Sequence, residues 1–248
     1  MSIKKLIKEI SKLVNEEASI NNNSVDPGEI YLISDSKGKY LKPVIPGRYR
    51  TNLHIINKSG ATIDSEIVNT AIRQIRLANK PTVLIWLGTC EITSKKGKFI
   101  QLIDYPFQTI EEILDQYWSI KKKILRVNSQ ATVCFLECPY FSISIWNKYQ
   151  GRIPDQDQEG TDKKQGNELK SVIEYFNQQL SLLNASVISH IPKLSKDQII
   201  SSKKKRLRRT KYKINYKLLY DGVHPSRKLA RLWLHRIIKF SREVRNLV

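Results

Sequence analysis

The spacing of hydrophobic positions changes along this chain, and the changes predict an alternation of strands and helices. Short apolar runs rich in β-branched residues, each followed by polar, Gly or Pro residues, predict five strands. These runs are Ile30–Ile33, Leu53–Ile56, Thr82–Leu87, Thr132–Leu136 and Ser186–Ser189. Between the runs, apolar residues recur every three or four positions, which is typical of the buried face of an amphipathic helix. The stretches with helical spacing are Asp64–Ala78, Thr109–Leu125, Glu168–Leu183 and, nearest the C-terminus, Ser226–Val244.

This alternation is typical of right-handed βαβ units, in which helices cover both faces of a parallel sheet. We therefore predict an α/β fold, a three-layer α/β/α sandwich built on a five-stranded parallel sheet. A chain of 248 residues is long enough to bury such a core. Because the sequence contains neither an internal repeat nor an evident linker, we interpret residues 1–248 as a single domain.

Three segments lie outside the alternation. Residues 1–18 have the spacing of an amphipathic helix, which we expect to pack on the domain; its lysine-rich polar face also suits a membrane surface or a partner helix. Residues 147–167 are polar and without periodicity, which predicts a surface insertion after the fourth strand. Residues 201–213 contain eight basic side chains in thirteen positions. Because like charges repel one another, we predict an exposed basic loop there.

Composition excludes several classes of protein. With 40% hydrophobic and 27% charged residues, the chain is typical of globular proteins rather than of disordered or fibrous ones. Its apolar runs are too short to span a bilayer, and its N-terminus lacks the apolar stretch of a secretory signal. Cys90, Cys134 and Cys138 have no C-x-x-C spacing, which indicates reduced thiols. We expect a soluble intracellular protein, cytoplasmic or nuclear.

Positive charge is concentrated near the C-terminus. The formal net charge is +20, and residues 193–248, with 18 basic and three acidic side chains, carry +15 of it. Such a field attracts polyanions, so RNA or DNA is a candidate partner, with a plain solubilising surface as the alternative. The candidate nucleic-acid-binding residues are Lys203, Lys204, Lys205, Arg206, Arg208, Arg209, Lys211 and Lys213. Similar basic runs also occur as nuclear-import signals and as solvated loops, and these alternatives stay open.

Residues able to carry chemistry follow the predicted strands. In an open parallel sheet, the ligand site lies beyond the carboxyl ends of the strands. Ser36 follows the first predicted strand, Gly60 the second and Cys90 the third. Asp221 and His224 lie three residues apart just before the last predicted helix. We expect a hydroxyl, small turns and a histidine beside a carboxylate to gather at this one edge.

Four short blocks stand in this order along the chain: Ser34-Asp35-Ser36, Gly60, Gly88-Thr89-Cys90-Glu91 and Asp221-Gly222-Val223-His224. Taken together, they resemble the SGNH hydrolases, also called the GDSL esterase superfamily. The family's blocks are G-D-S, a Gly after the second strand, G-x-N-D and D-x-x-H. The resemblance extends over residues 30–230, nearly the whole chain, and implies the flavodoxin-like SGNH hydrolase fold. The chain also resembles esterase-like domains found in the reading frames of animal mobile elements.

The resemblance also implies roles for individual residues. Ser36 would be the nucleophile, His224 the general base, and Asp221 the group that orients the imidazole. The oxyanion hole would use the backbone N–H groups of Ser36 and Gly60 and a third donor at position 90. We expect no metal and no cofactor, because this chemistry requires neither.

The sequence departs from the family pattern at several positions. The third oxyanion donor is an Asn side chain in the family, whereas position 90 is Cys90, and a thiol is a weak donor. Losing one preorganised donor typically lowers the rate by about 10²–10³-fold. Ser34, Lys37 and Glu91 stand where the family usually has Gly, Leu and Asp. For this reason the substrate of other members is not carried over.

Two hypotheses follow. In the first, the chain is a serine hydrolase that acts on a small ester or an O-acetyl group through an acyl-enzyme on Ser36. In the second, it is a catalytically impaired protein of the same fold that binds nucleic acid through its basic C-terminal region. Ser36 has a simpler interpretation as well, as the residue that caps the first helix of the α/β region.

Overall fold

The computed structural model describes residues 2–20, 28–153, 156–188, 190–203 and 210–246. Its helices are α1 (Ile3–Ile20), α2 (Ser36–Leu41), α3 (Glu66–Ile75), α4 (Pro106–Val127), α5 (Ile143–Tyr149), α6 (Gln156–Asn184) and α7 (Arg227–Arg245). Its strands are β1 (Ile30–Ser34), β2 (Leu53–Asn57), β3 (Thr82–Trp86), β4 (Thr93–Lys96), β5 (Phe99–Leu102), β6 (Thr132–Phe135), β7 (Ile199–Lys203) and β8 (Thr210–Ile214).

A parallel sheet forms the centre of the α/β fold. The strand order is β2-β1-β3-β6, and all three pairs are parallel. Every residue of β1 and β3 is buried, as expected for central strands of a parallel sheet. Two groups of helices pack against it, since α3, α4 and α6 contact one another in sequence and α7 contacts α1 and α2. This topology places the carboxyl ends of β1, β2 and β3 side by side.

Four of the five predicted strands are confirmed, and the fifth is wrong. Residues 185–187 form a turn after α6, and Ile188 is buried without entering a strand. Within the described residues, the parallel sheet therefore has four strands rather than five.

Side-chain amides cover the edge of β6, and of the segment that follows it, where a fifth strand was expected. Asn184 accepts from the N–H of Phe135 and donates to its carbonyl, both at 2.9 Å. Asn177 bonds the N–H and carbonyl of Cys138 in the same way at 2.7 and 2.8 Å. Gln198 does so for Tyr140 at 2.8 and 2.7 Å. A carboxamide offers a donor and an acceptor as a peptide group does, so these side chains satisfy backbone groups that a strand would otherwise pair.

The polar stretch 147–167 is not a structureless insertion. It contains the end of α5, at Tyr149, and the first turns of α6, which begins at Gln156. The buried apolar side chains of α6 start only at Leu169, which explains why the sequence shows helical spacing from about Glu168 onward. The other helix predictions are confirmed, although α4 begins at Pro106, three residues before Thr109. Proline suits the first turn of a helix because it needs no backbone donor there.

Two antiparallel hairpins lie outside the parallel sheet. β4 pairs with β5, and Asn147 holds this hairpin by bonding the N–H and carbonyl of Ile100, both at 2.8 Å. β7 pairs with β8 from Ile199–Ile214 to Lys203–Thr210. The predicted basic loop 201–213 is thus corrected to strand at both of its ends. Its middle, with Lys204, Lys205, Arg206, Arg208 and Arg209, lies outside the described residues.

The predicted N-terminal helix is confirmed as α1. Leu6, Ile10 and Leu13 are buried, and α1 packs against α7. None of the helices in the described part of the chain combines the length and apolar character that crossing a membrane requires.

Candidate active site

Ser36, His224 and Asp221 meet beyond the carboxyl end of β1. Ser36 is the first residue of α2, and its Oγ lies 2.7 Å from Nε2 of His224. Nδ1 of His224 lies 2.6 Å from Oδ2 of Asp221. The structure therefore brings together the three residues to which the resemblance gave the roles of nucleophile, base and orienting carboxylate. Their connectivity matches that of a serine, histidine and aspartate triad.

Backbone contacts hold the segment with Asp221 and His224 in a tight loop. Oδ1 of Asp221 accepts the N–H groups of His224 and Val223 at 2.8 and 3.0 Å. The N–H of Tyr220 donates to the carbonyl of His224 at 2.7 Å. Gly222 has φ +94°, and a Cβ there would lie 2.8 Å from both Cβ of Ile145 and the backbone nitrogen of Trp146. The loop consequently requires glycine at position 222.

The carboxyl of Asp221 is held in its ionised form. Burial acts to raise the pKa of Asp221, but hydrogen bonds from the ring and N–H of His224 and from the N–H of Val223 outweigh it, so the pKa lies below its usual value. An ionised Asp221 favours the tautomer of His224 that is protonated at Nδ1. Nε2 is then free to accept the proton of the Ser36 hydroxyl.

Aromatic rings fix the orientation of His224. The ring of Tyr40 stacks on the imidazole, with centroids 4.6 Å apart and an interplanar angle of 22°. Trp146 contacts it edge-on at 5.6 Å and 65°. Sequence reasoning missed both residues. Tyr40 lies one turn after Ser36 in α2, so helical spacing gave a signal for it, whereas nothing local pointed to Trp146.

Asp35, rather than Ser36, caps α2. Oδ1 of Asp35 accepts the N–H of Lys37 at 2.9 Å, and Asp35 has the extended backbone of an N-cap residue. The simpler interpretation of Ser36 as the helix cap is therefore wrong. Its hydroxyl bonds His224 instead.

Lys37 is buried beneath the site and connects two of its loops. Its ammonium group contacts the carboxylate of Asp35, bonds Oγ1 of Thr89 at 2.6 Å and lies 5.2 Å from the centre of the Trp86 ring. Burial acts to lower the pKa of Lys37, but the charge and hydrogen bond of Asp35, together with the nearby Cys138 and Cys90, outweigh it, so the pKa lies above its usual value. Lys37 thus stays charged and ties the start of α2 to the segment that follows β3.

Ser36 and Gly60 both have uncommitted backbone donors. Gly60 lies in a turn after β2 with φ +72°, and β2 pairs with β1 as far as Asn57 and Ser34. Within the described residues, neither the N–H of Ser36 nor that of Gly60 donates a hydrogen bond. Both groups remain candidates for the oxyanion hole that the resemblance implies.

Cys90 is partly buried in the loop after β3. Burial, together with the charge of Asp35, raises the pKa of its thiol to about 12. The thiol is therefore neutral and is not a thiolate nucleophile. The neighbouring Glu91 accepts the N–H of Ile63 at 2.7 Å, and burial raises its pKa to about 7. Glu91 thus links this loop to the segment just after Gly60.

Three of the eight predicted nucleic-acid-binding residues lie in the part of the chain that the structure describes. Tyr212 and Lys213 are exposed on β8, and Lys203 and Lys211 lie in the β7–β8 hairpin. The remaining candidate nucleic-acid residues lie outside the described part of the chain. Across the ranges that the structure describes, no three His, Cys, Asp or Glu side chains form a group that could hold a metal ion.

Comparisons with known proteins identify the fold. No protein-family model and no curated protein matches the chain. Among solved structures, it is similar to a carbohydrate esterase family 3 protein from Talaromyces cellulolyticus, with a TM-score of 0.51, 13% identity and coverage of 88% of this chain and 99% of that one. Its α/β fold is similar to that of this esterase. The expected fold class is thereby confirmed, apart from the strand count.

Two further solved structures are similar at lower TM-scores. One is a proposed GDSL-like lipase from Parabacteroides merdae, at TM-score 0.44, 11% identity and coverage of 91% and 99%. The other is the periplasmic domain of a lipopolysaccharide acetyltransferase from Salmonella ser. Paratyphi A, at TM-score 0.43, 14% identity and coverage of 95% and 96%. None of these comparisons tests the mobile-element resemblance, which stays a prediction.

Proposed function

We propose that the chain is a serine hydrolase that cleaves a small ester or an O-acetyl group through an acyl-enzyme on Ser36. The observation that carries the proposal is the pair of hydrogen bonds at 2.7 and 2.6 Å joining Ser36 to His224 and His224 to Asp221. A serine hydroxyl becomes a useful nucleophile when a positioned base takes its proton. His224 has that position, and Asp221 and Tyr40 hold its ring.

The reaction proceeds in two halves. Oγ of Ser36 attacks the carbonyl carbon while Nε2 of His224 takes the hydroxyl proton, and the tetrahedral intermediate then expels the alcohol, which His224 protonates. In the second half, His224 removes a proton from water, which attacks the acyl-enzyme. Ser36 leaves with the proton returned by His224, and a carboxylic acid is released. Asp221 stabilises the imidazolium in both halves without taking its proton.

The negative charge of each tetrahedral intermediate would be held by the N–H groups of Ser36 and Gly60. The third donor of the family is replaced by the thiol of Cys90, which donates weakly. This oxyanion hole is therefore weaker than one with three strong donors. Slow turnover is the expected consequence.

Replacing Cys90 by Asn tests the oxyanion hole. A carboxamide at position 90 restores a strong donor, and we expect kcat for p-nitrophenyl acetate to rise about tenfold, which is less than the full effect of a preorganised donor. Cys90→Ala is the matched control, because it removes the thiol without adding a donor, and it should turn over as slowly as the native chain. Equal rates for the Asn and Ala variants would contradict the assignment of position 90.

The proposed mechanism predicts a burst with p-nitrophenyl acetate. Nitrophenol should appear in a rapid phase equal to the concentration of active enzyme, followed by slower steady release as the acyl-enzyme hydrolyses. The burst should vanish in Ser36→Ala. Steady release without dependence on Ser36 would show that the reaction does not pass through an acyl-serine.

A second candidate function, nucleic-acid binding, is favoured by the β7–β8 hairpin. Tyr212 is 69% exposed, the adjacent Lys213 is also exposed, and Lys203 and Lys211 belong to the same two-stranded ribbon. An exposed aromatic ring on a lysine-rich two-stranded ribbon is a surface on which a base can stack.

Neutralising the hairpin tests this second function. We expect Lys203→Gln, Lys211→Gln and Lys213→Gln together to weaken binding of a single-stranded 20-nucleotide RNA at least tenfold. The slope of log Kd against log salt should fall by about two, because each single-strand phosphate contact contributes about 0.7. The matched control neutralises Lys96, Lys122 and Lys123, which are exposed elsewhere. Equal losses in both triple variants would indicate general charge attraction rather than a hairpin site.

A further inference from the structure

A groove of about 1080 Å³ lies between α1, residues 43–48 and the first turns of α7. Its apolar lining includes Ile7, Ile10, Val14, Pro43, Val44 and Ile45. Ile10 is buried, and Val14, Val44 and Ile45 pack against the core. The groove is separate from the candidate active site, because Ser36, Asp221 and His224 do not line it.

Among the side chains that the structure describes, the charged ones lining this groove are all cationic. These are Arg48, Arg227, Lys228 and Arg231, which are exposed. In the described residues, Arg227, Lys228 and Arg231 form no ion pair. The first turn of α7 also has no acidic residue. Cations at a helix N-terminus oppose the helix dipole, so an anion placed there would relieve the repulsion.

The shape of the groove favours a discrete ligand over a flat surface. Its volume is slightly above the usual range for small-molecule sites, about 300–1,000 Å³, and such sites are mostly apolar with a few polar groups that fix orientation. A bilayer or a nucleic-acid duplex contacts convex or flat surfaces and would leave the concave apolar lining uncovered. A chain-like apolar group can fill it.

We infer that this groove binds a single-chain amphipathic anion, with its alkyl chain against the apolar lining and its carboxylate or phosphate head on the cations. The guanidinium groups of Arg227 and Arg231 can each bind such a head through two parallel hydrogen bonds. The inference is independent of the proposed hydrolase function, because it uses none of the proposed catalytic residues.

Calorimetry with the full-length Ser36→Ala protein tests the inference without interference from hydrolysis. Monomeric octanoate, decanoate and dodecanoate are titrated below the concentrations at which they form micelles. We expect the affinity to rise about threefold to fourfold per methylene group, which corresponds to burial of the chain. Dodecyltrimethylammonium, with the same chain and a cationic head, should bind at least tenfold more weakly than dodecanoate.

Two pairs of substitutions distinguish binding in the groove from general electrostatic attraction to the protein. Lys228→Gln with Arg231→Gln should raise the Kd for dodecanoate about tenfold. Lys122→Gln with Lys123→Gln, on exposed α4 positions, changes the net charge equally and should leave it unchanged. Val14→Ser should reduce the gain per methylene while leaving the preference for anionic heads.

Three results of these titrations would overturn the inference. The first is no binding of any carboxylate, and the second is affinity that does not depend on chain length. The third is equal loss in the two charge-neutralised variants. Sedimentation with vesicles that contain anionic phospholipid measures binding to a membrane surface as an additional test. Binding to vesicles alone, with none to the monomeric amphiphiles, would assign the cations and α1 to a membrane surface and overturn the groove site.

Discussion

His224→Ala is expected to lower kcat for p-nitrophenyl acetate by about 10⁴–10⁶-fold, the range that triad deletions produce in known serine proteases. The physical reason is that Nε2 of His224 is the group 2.7 Å from Oγ of Ser36 that can take its proton. Ser36→Ala should cause a loss of similar size. The double variant should lose no more than either single one, because the two residues act as a unit.

His190→Ala is the matched control for that measurement. His190 is an exposed histidine that lies 3.3 Å from Glu243, outside the candidate site, so its removal should leave kcat unchanged. Steady-state rates should be divided by the concentration of active enzyme that the burst of the native chain gives. The thermal transition of each variant should also be measured, to show that the variant is folded. A folded His224→Ala protein that keeps its rate within tenfold of the native value would contradict the role of His224 as general base.

Gly222→Val is expected to lower kcat/KM by more than about 10²-fold without touching any proposed catalytic atom. With φ +94° and the new Cβ 2.8 Å from Cβ of Ile145 and from the nitrogen of Trp146, the loop must move. A side chain at positive φ costs about 1–2 kcal/mol and overpacking about 1–3 kcal/mol more. A displacement of about 1 Å in a catalytic group lowers a rate by roughly 10²-fold.

Gly47→Ala separates this effect from a general cost of removing glycine. A Cβ at Gly47 meets no atom within 4 Å, so activity and the melting temperature should be unchanged. The Gly222→Val variant should remain folded at the assay temperature while losing activity, and circular dichroism checks this. Native activity in folded Gly222→Val would show that the geometry of the Asp221–His224 loop is not required.

The hydrophobic pattern could predict the central strands because strands that are buried on both faces consist mostly of apolar residues. β1 and β3 are buried at every position and appear as mostly apolar runs that contain several β-branched residues. The run at Ser186–Ser189 has the same local composition but is not a strand in the described part. The edge that it would pair is satisfied by Asn177, Asn184 and Gln198. Such amides carry no periodic signal, so only tertiary structure could show their role.

The candidate site could be located from sequence because its residues follow strands and keep family-like order. Ser36, Asp221 and His224 were found in this way. Their supporting contacts could not be, because the Tyr40 stack on His224 and the bond from Lys37 to Thr89 depend on how distant segments pack. Lys37 was recognised only as a departure from the family pattern. Its burial and its ion pair with Asp35 give that departure a structural role.

The most direct test of the central claim is labelling with a fluorophosphonate probe, which forms a bond from phosphorus to an activated serine oxygen and releases fluoride. Intact mass analysis should show one adduct, and peptide mapping should place it on Ser36. Labelling should be absent from folded Ser36→Ala and His224→Ala and should persist in His190→Ala. Folded native protein that takes up no probe, or labelling that survives Ser36→Ala, would contradict the assignment of Ser36 as an activated nucleophile.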